Sequence, residues 1–150
     1  MRPKYHFISS LIIGSTLYLI THHKIISFSA SFAAFFIDLD HLIIYWRTKP
    51  KNPFSIKKFL NCKSYIIKLK KLYLFFHAWE WVLVFLILWI TLQVCRVDNF
   101  DFELFLGLSI GILVHLILDQ IRNSVYPGTY SFFWRLTKKF ETGRVLRKIK

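Results

Sequence analysis

Ionisable residues inside apolar stretches are the feature of this chain that could do chemistry. The stretch "FFIDLDHLIIYW" at residues 35–46 holds Asp38, Asp40 and His41 in an otherwise apolar and aromatic run. Burying an ionised group costs free energy unless it finds a partner, so such groups in apolar surroundings mark a functional-site candidate. Asp38 and His41 are three residues apart, which on a helix places both side chains on one face. Asp40 points elsewhere, where it could support a functional histidine or pair with Arg47.

Two further pairs of ionisable residues occur at helical spacing. His77 and Glu80 are three residues apart, and His115 and Asp119 are four apart. Both intervals bring two side chains to the same face of a helix. Imidazole and carboxylate together suit Zn²⁺, Mn²⁺ or Fe²⁺, and the lack of a close cysteine pair argues against a thiolate-based structural zinc site. The spacing therefore indicates a metal site built from pairs on bundle helices.

Four hydrophobic segments must position these residues. Each is close to the ~20 residues that a helix needs to cross a hydrocarbon core, where the backbone must satisfy its own hydrogen bonds. The third contains "WVLVFLILWI", which is apolar all round and leaves no polar face for a soluble four-helix bundle. We therefore predict an all-α fold, a four-transmembrane-helix bundle forming a single domain of residues 1–150. The predicted helices cover about residues 5–21, 25–46, 72–95 and 102–121.

The basic charge of the chain is concentrated in alternate connections. The formal net charge is +13. Residues 1–4, residues 47–71 and the tail from Arg122 hold 2, 9 and 8 Lys and Arg, whereas the other two connections hold one each. This pattern follows the positive-inside rule for four helices with both termini in the cytoplasm, and it predicts a multi-pass protein of the cell (inner) membrane. It accounts for the charge without nucleic acid, for which no binding motif is present.

The alternating topology predicts a common depth for the ionisable residues. His6 lies at the cytoplasmic entry of the first helix, and the groups on the other three helices lie in their cytoplasmic halves. One polar site open to the cytoplasm is therefore expected. A proton or ion relay and a structural polar cluster are the alternatives. A relay lacks a polar continuation in the outer halves, where Gly107-x-x-x-Gly111 indicates a close helix-packing face.

Two segments are predicted to lie along the membrane surface, at about residues 50–71 and 128–150. In the first, lysines interleave with apolar residues, as in an interfacial helix on an anionic leaflet. In the second, Pro127-Gly128 marks a turn, and the run "FFWR" at residues 132–135 resembles an aromatic interfacial anchor. Such a basic, aromatic-lined mouth suits a phosphate-bearing lipid, although the positive-inside rule alone also makes these segments basic.

The ordered set of motifs resembles the membrane-bound metal-dependent hydrolases, small inner-membrane proteins distantly similar to zinc-dependent phospholipase C. The set is a histidine near the N-terminus, Asp-x-Asp-His, a histidine in the third segment and His-x-x-x-Asp. Many members of that family carry a His-Arg start and a second histidine five residues later in the third motif. Here that position is Val82, and Glu80 is the candidate replacement. The matching stretches are His6, Asp38-Leu39-Asp40-His41, His77 and His115-Leu116-Ile117-Leu118-Asp119.

The resemblance implies a divalent-metal hydrolase that acts on a phospholipid or another membrane-proximal ester through a metal-activated water. Zinc is the expected ion, with manganese or iron as alternatives. Glu80 is the candidate general base, with a ligand role as its alternative, and Asp40 is expected to orient a ligand histidine. A non-catalytic metal-binding or regulatory membrane protein and a small ion or proton transporter are the other functions considered. The expected metal ligands are Asp38, His41, His77, His115 and Asp119, with His6 as a sixth ligand or a hydrogen-bond partner.

Overall fold

The described part of the chain is mostly helical. A computed structural model describes residues 3–49, 55, 59, 66, 69–96, 101–123 and 126–146, with side chains from residue 6 onward. These residues form no β-strand, and an antiparallel bridge between Lys71 and Glu141 is isolated, so the all-α prediction is confirmed. The helices are α1 (Pro3–Thr21), α2 (Lys24–Phe36), α3 (Leu39–Arg47), α4 (Trp79–Val94), α5 (Glu103–Asn123), a 3₁₀ helix (Pro127–Tyr130), α6 (Phe132–Thr137) and α7 (Thr142–Val145).

Helix α2 is the centre of the bundle and packs against both α1 and α5. Small residues permit the close approach. A Cβ atom at Gly107 would overlap Ser29, and one at Gly111 would overlap the carbonyl of Ala30. Gly14 of α1 lies equally close to α2. The predicted packing face at Gly107 and Gly111 is therefore confirmed, and it brings the site-bearing helices α1, α2 and α5 together.

The second predicted helix is interrupted where the first chemical motif begins. Ile37 and Asp38 form a turn between α2 and α3. The N–H of His41 donates to the carbonyl of Asp38 at 2.9 Å, so Asp38 occupies the N-cap position of α3. Aspartate favours such positions because its short side chain competes with helical backbone hydrogen bonding. Here the Asp38 carboxylate caps no backbone N–H, and it is directed to the neighbouring histidines instead.

The third predicted helix begins later than the sequence indicated, at Trp79. Residues 72–78 are not helical, because two consecutive backbone N–H groups, the second that of His77, donate to the carboxylate of Asp40 at 2.5 and 3.0 Å. Hydrogen bonds from outside the segment thus replace those that a helix would supply. His77 precedes α4. The prediction that His77 and Glu80 lie on one face of the same helix is therefore wrong.

Among the residues that the structure describes, two helical stretches are long and apolar enough to cross a membrane. They are Lys24–Arg47, which contains α2 and α3, and Glu103–Asn123. Two shorter apolar helices span His6–Thr21 and Trp79–Val94. None of the residues of α4 is fully buried. One side of the helix packs against α5 and the core through Val82 and Phe85, and the other side, with Leu83 and Ile87, is exposed.

The C-terminal residues 126–146, here called the cap segment, fold over one end of the helices. Val145 is fully buried in an apolar cluster with Ile44 and Tyr45 of α3. The side chain of Thr129 donates to the carbonyl of Val145 at 2.9 Å and so closes the segment on itself. Of the other predicted surface segment, the described residues are 55, 59, 66 and 69–71, and the remainder of that prediction lies outside them.

Candidate metal centre

Six histidine and aspartate side chains from separate parts of the fold converge at the capped end. They come from α1, the turn after α2, α3, the loop before α4, and α5. They form three overlapping groups, and within each group the possible ligand atoms lie within 4.8 Å of one another. These six are the residues expected from the sequence to be metal ligands. The groups are His6, Asp38 and His115; Asp38, His41 and His77; and His77, His115 and Asp119.

The carboxylate of Asp38 lies at the middle of this cluster. Its Oδ1 is 3.5 Å from Nε2 of His77 and 3.7 Å from Nε2 of both His41 and His115. Its Oδ2 is 3.8 Å from Nδ1 of His6. These separations are long for hydrogen bonds. They are close to the roughly 3.3 Å between two ligands of a tetrahedral zinc ion with bonds of about 2.0–2.1 Å.

Asp119 supplies a second carboxylate to the same cluster. Its Oδ1 is 3.4 Å from Nε2 of His6. Its Oδ2 is 3.8 Å from Nε2 of His115 and 3.9 Å from Nε2 of His77. The rings of His6 and His115 stack with their centroids 4.3 Å apart. The imidazoles therefore lie between two carboxylates, which is a compact arrangement of nitrogen and oxygen donors.

Acceptor groups behind two of the histidines fix their tautomers. Nδ1 of His77 lies 3.2 Å from Oδ2 of Asp40, and Nδ1 of His115 lies 2.7 Å from the carbonyl of Ala34. A carboxylate and a carbonyl can only accept, so both Nδ1 atoms carry a proton, and in the neutral ring each Nε2 is then free to bind a metal ion. Of the two roles predicted for Asp40, support of a histidine and pairing with Arg47, the structure shows contact with a histidine. Arg47 instead lies over the ring of Tyr73, at 4.8 Å from its centroid.

Several buried atoms of the cluster fit a metal ion because protein groups do not satisfy them. Within the described part of the chain, the atoms without a hydrogen-bond partner include Oδ1 of Asp38 and Nε2 of His77 and His115. Such atoms cost free energy when buried, and a divalent cation would satisfy carboxylate oxygens and imidazole lone pairs together. The cluster has nitrogen and oxygen donors and no sulfur, as zinc, manganese and iron accept. The cluster could therefore hold a metal ion.

Glu80 lies beside the cap segment and belongs to none of the three donor groups found among the described residues. Its Oε1 accepts a hydrogen bond from the hydroxyl of Ser131 at 2.7 Å and one from the N–H of Phe133 at 3.3 Å. Ser131 in turn accepts from the N–H of Trp134 at the start of α6, at 3.2 Å. Glu80 therefore ties α4 to the cap segment, and its role as a general base stays a prediction.

Tyr130 of the cap segment touches the cluster, although the sequence pattern gave no reason to single it out. Its hydroxyl donates to Oδ2 of Asp119 at 3.4 Å and accepts from the side-chain amide of Asn123 at 3.1 Å. Its ring centroid lies 6.0 Å from that of His77. Burial, with the nearby Asp119 carboxylate, raises the pKa of Tyr130, so the hydroxyl keeps the proton that it donates. The sequence has many aromatic residues near this end, and only the turn at Pro127-Gly128 could have drawn attention to Tyr130.

No protein-family model, no curated protein and no solved structure matches this chain. The resemblance to the membrane-bound metal-dependent hydrolases therefore stays an expectation drawn from the ordered motifs. The case for a metal centre rests on the side chains that converge in the fold and on the orientation of their donor atoms.

Proposed function

We propose that this chain is a membrane-embedded, divalent-metal-dependent hydrolase with its site at the cytoplasmic side of a four-helix bundle. The observation that carries the proposal is the convergence of four histidines and two aspartates in three overlapping groups, with buried donor atoms that have no hydrogen-bond partner in the described part of the fold. Zinc is the proposed ion, because it binds imidazole and carboxylate donors in catalytic sites, and manganese or iron are alternatives. A bound ion would supply Lewis acidity and an activated water for attack on an ester, with a phospholipid as one candidate substrate.

The residues around the donors would keep them in place during turnover. Asp40 holds the ring of His77, and the carbonyl of Ala34 holds the ring of His115. Tyr130 donates to Asp119 and so restricts its carboxylate. Supporting partners of this kind orient ligands and raise their basicity. Of the two carboxylates expected to be catalytic, Asp40 is proposed to act through His77. Glu80 stays the proposed general base, and it also ties α4 to the cap segment.

The proposed membrane arrangement uses α1, the α2–α3 pair, α4 and α5 as spans. Helix α1 has 19 residues and α4 has 16, near the ~20 that a straight span needs. A span somewhat shorter than the hydrocarbon core is accommodated by local thinning of the bilayer. The outward-facing apolar surface of α4 and the basic connections support this arrangement, with both termini in the cytoplasm and anionic inner-membrane lipids as neighbours.

A non-catalytic metal-binding or regulatory membrane protein is the second candidate. The enclosure of His77, His115 and Asp119, each at most 1% exposed, favours it, because structural metal sites are closed whereas catalytic ones keep an open position. A small ion or proton transporter has less support. The outer part of α5 packs through Gly107 and through Ser109, whose hydroxyl donates to the carbonyl of Val82 at 3.0 Å, and offers no ionisable relay.

Metal content tests the proposal first. Elemental mass spectrometry is applied to detergent-purified wild type, to a His115→Ala/Asp119→Ala double variant and to a His22→Ala/Asp101→Ala double variant. The control pair removes the same residue types at exposed positions. Near-stoichiometric zinc, manganese or iron is expected in the wild type and in the control, with loss in the His115/Asp119 variant.

The outcomes separate the candidate functions. Absence of metal from the wild type, even after reloading, would contradict the hydrolase proposal and the metal-binding alternative together. Metal-loaded protein is then assayed against phospholipids and simple esters. Hydrolysis that disappears in the His115/Asp119 variant supports the enzyme, whereas bound metal without hydrolysis of any ester supports the non-catalytic role.

A further inference from the structure

Arg135 is a fully buried cation in the cap segment. The residue is 0% exposed, and Nε and both terminal nitrogens of its guanidinium have no hydrogen-bond partner among the residues that the structure describes. Taking a guanidinium out of water without replacing its hydrogen bonds is strongly unfavourable. A buried arginine with five unsatisfied N–H donors therefore calls for an acceptor that protein groups do not provide.

The two carboxylates that act electrostatically on Arg135 do not hydrogen-bond to its guanidinium. Burial lowers the pKa of Arg135, while the charges of Asp40 and Glu80 act in the opposite direction. Asp40 accepts hydrogen bonds from the loop and ring of His77. One oxygen of Glu80 accepts from Ser131, and its other oxygen is buried without a hydrogen-bond partner in the described part of the fold. Neither carboxylate hydrogen-bonds to the guanidinium.

Asp40 and Tyr130, which both contact donors of the candidate metal centre, lie within electrostatic range of Arg135. Asp40, whose charge acts on Arg135 most strongly, contacts the donor His77. Tyr130, which also acts on Arg135, contacts the donor Asp119. Two residues that act electrostatically on Arg135 are thus also in contact with candidate ligands. The guanidinium and the metal donors could therefore contact different atoms of one bound molecule.

Arg135 is as deeply buried as two of the proposed metal ligands. His77 and His115 are buried to the same degree and likewise present nitrogen atoms without a protein partner. The planar fork of a guanidinium matches an oxyanion through two parallel hydrogen bonds. A tetrahedral oxyanion has oxygens on several sides, so it could meet the fork and the metal centre together.

We propose that Arg135 binds a phosphate-type oxyanion of the molecule that occupies the candidate metal centre. The assignment of that molecule as a substrate rests on the proposed function, but the anion site itself does not. A lipid headgroup and soluble phosphate share this chemistry. The matched control is Arg144, an exposed cation of the same segment whose Nε pairs with Glu141 at 2.7 Å.

The test measures binding of inorganic phosphate to the full chain in detergent by calorimetry, against chloride at equal ionic strength. It also measures binding to vesicles of phosphatidylcholine with and without phosphatidic acid. Wild type, Arg135→Met, Arg135→Lys and Arg144→Met are compared, each as purified and after chelator treatment. Arg135→Lys keeps the positive charge but loses the two parallel N–H donors of the guanidinium. It therefore remains an informative variant if Arg135→Met does not fold.

Affinity for at least one phosphate probe is expected to fall at least tenfold in Arg135→Met and severalfold in Arg135→Lys, with Arg144→Met unchanged. An effect confined to phosphatidic acid identifies a lipid headgroup, and an effect on inorganic phosphate identifies the free anion or a soluble ester. Equal affinities of wild type and both Arg135 variants for both probes would overturn the inference. Arg135-dependent binding in a protein that holds no metal would contradict the proposed hydrolase function but would still support the anion site.

Discussion

The carboxylate of Asp40 lies 3.2 Å from Nδ1 of His77, and the opposite nitrogen of that ring faces Oδ1 of Asp38 at 3.5 Å. The same Asp40 oxygen accepts the backbone N–H of His77 at 3.0 Å. One buried oxygen therefore fixes the loop that carries His77, the rotation of its ring and its tautomer. This coupling makes Asp40 the residue through which the loop before α4 joins the cluster.

Replacing Asp40 with asparagine should weaken metal binding without removing any proposed ligand. An amide holds the His77 ring less firmly and lacks the charge that raises the basicity of the imidazole, so affinity should fall about 10- to 100-fold. Competition against a fluorescent chelator measures the change. Asp101→Asn, at an exposed position, is the control. Wild-type affinity in Asp40→Asn would show that the contact is not used to orient a ligand.

Removing the hydroxyl of Tyr130 should have a smaller effect in the same direction. Tyr130→Phe deletes the 3.4 Å hydrogen bond to Asp119 and the 3.1 Å hydrogen bond from the side-chain amide of Asn123. We expect a loss of about 1 kcal/mol in the free energy of unfolding and a decrease in metal affinity below that of Asp40→Asn. Thermal unfolding and chelator competition are the measurements. Tyr18→Phe, on the exposed surface of α1, should behave as wild type, and a Tyr130→Phe indistinguishable from it would argue against the contact.

The sequence predicted those parts of the fold and site that depend on local spacing. Hydropathy located α1 and α5 closely, and the four-residue interval of His115 and Asp119 placed both on one face of α5. Hydropathy and residue spacing did not predict the late start of α4. It results from hydrogen bonds to Asp40, 36 and 37 positions earlier in the chain, which no periodicity records.

The cap segment is a second region whose tertiary contacts the local sequence pattern does not reveal. The run at residues 132–135 predicted a surface anchor, and Phe132 and Phe133 are exposed, whereas Arg135 of the same run is buried. Composition alone does not distinguish an aromatic that faces lipid from one that contacts a buried carboxylate. Tyr130 and Arg135 are buried by the fold of the segment over the helix ends. Their proximity to Asp119 and Asp40 is set by tertiary packing, not by their spacing in the chain.

Adding a methyl group at Gly111 should destabilise the helix bundle. A Cβ atom there would overlap backbone atoms of Ala30 in α2, and backbone cannot move aside as a flexible side chain can. Gly111→Ala should cost about 1–3 kcal/mol in the free energy of unfolding. Gly143→Ala is the matched control, because nothing lies within 4 Å of its Cβ position. Thermal unfolding in detergent compares them, and equal stability of the two variants would contradict the close approach of α2 and α5.

Neutralising Glu80 should loosen the cap segment. The carboxylate accepts hydrogen bonds from Ser131 and from the N–H of Phe133, and bonds to a charged acceptor contribute about 1.5–3 kcal/mol when shielded from water. Glu80→Gln should therefore increase hydrogen exchange of the backbone amides in residues 126–146. Glu103→Gln alters an exposed contact with Gln93 and is the control. Unchanged exchange in Glu80→Gln would mean that apolar packing alone holds the cap segment.

The proposed orientation of α4 in the membrane can be tested with the natural cysteines. Cys95 is a free, exposed thiol directly after α4, at the end that the proposal places outside the cytoplasm. Cys62 lies in the basic connection, outside the described residues, and is proposed to face the cytoplasm. In a Cys62→Ser variant, a membrane-impermeant maleimide should label intact cells whose outer barrier admits the reagent. In a Cys95→Ser variant, labelling should require permeabilised cells. The reverse pattern would invert the topology and place the metal centre at the opposite surface.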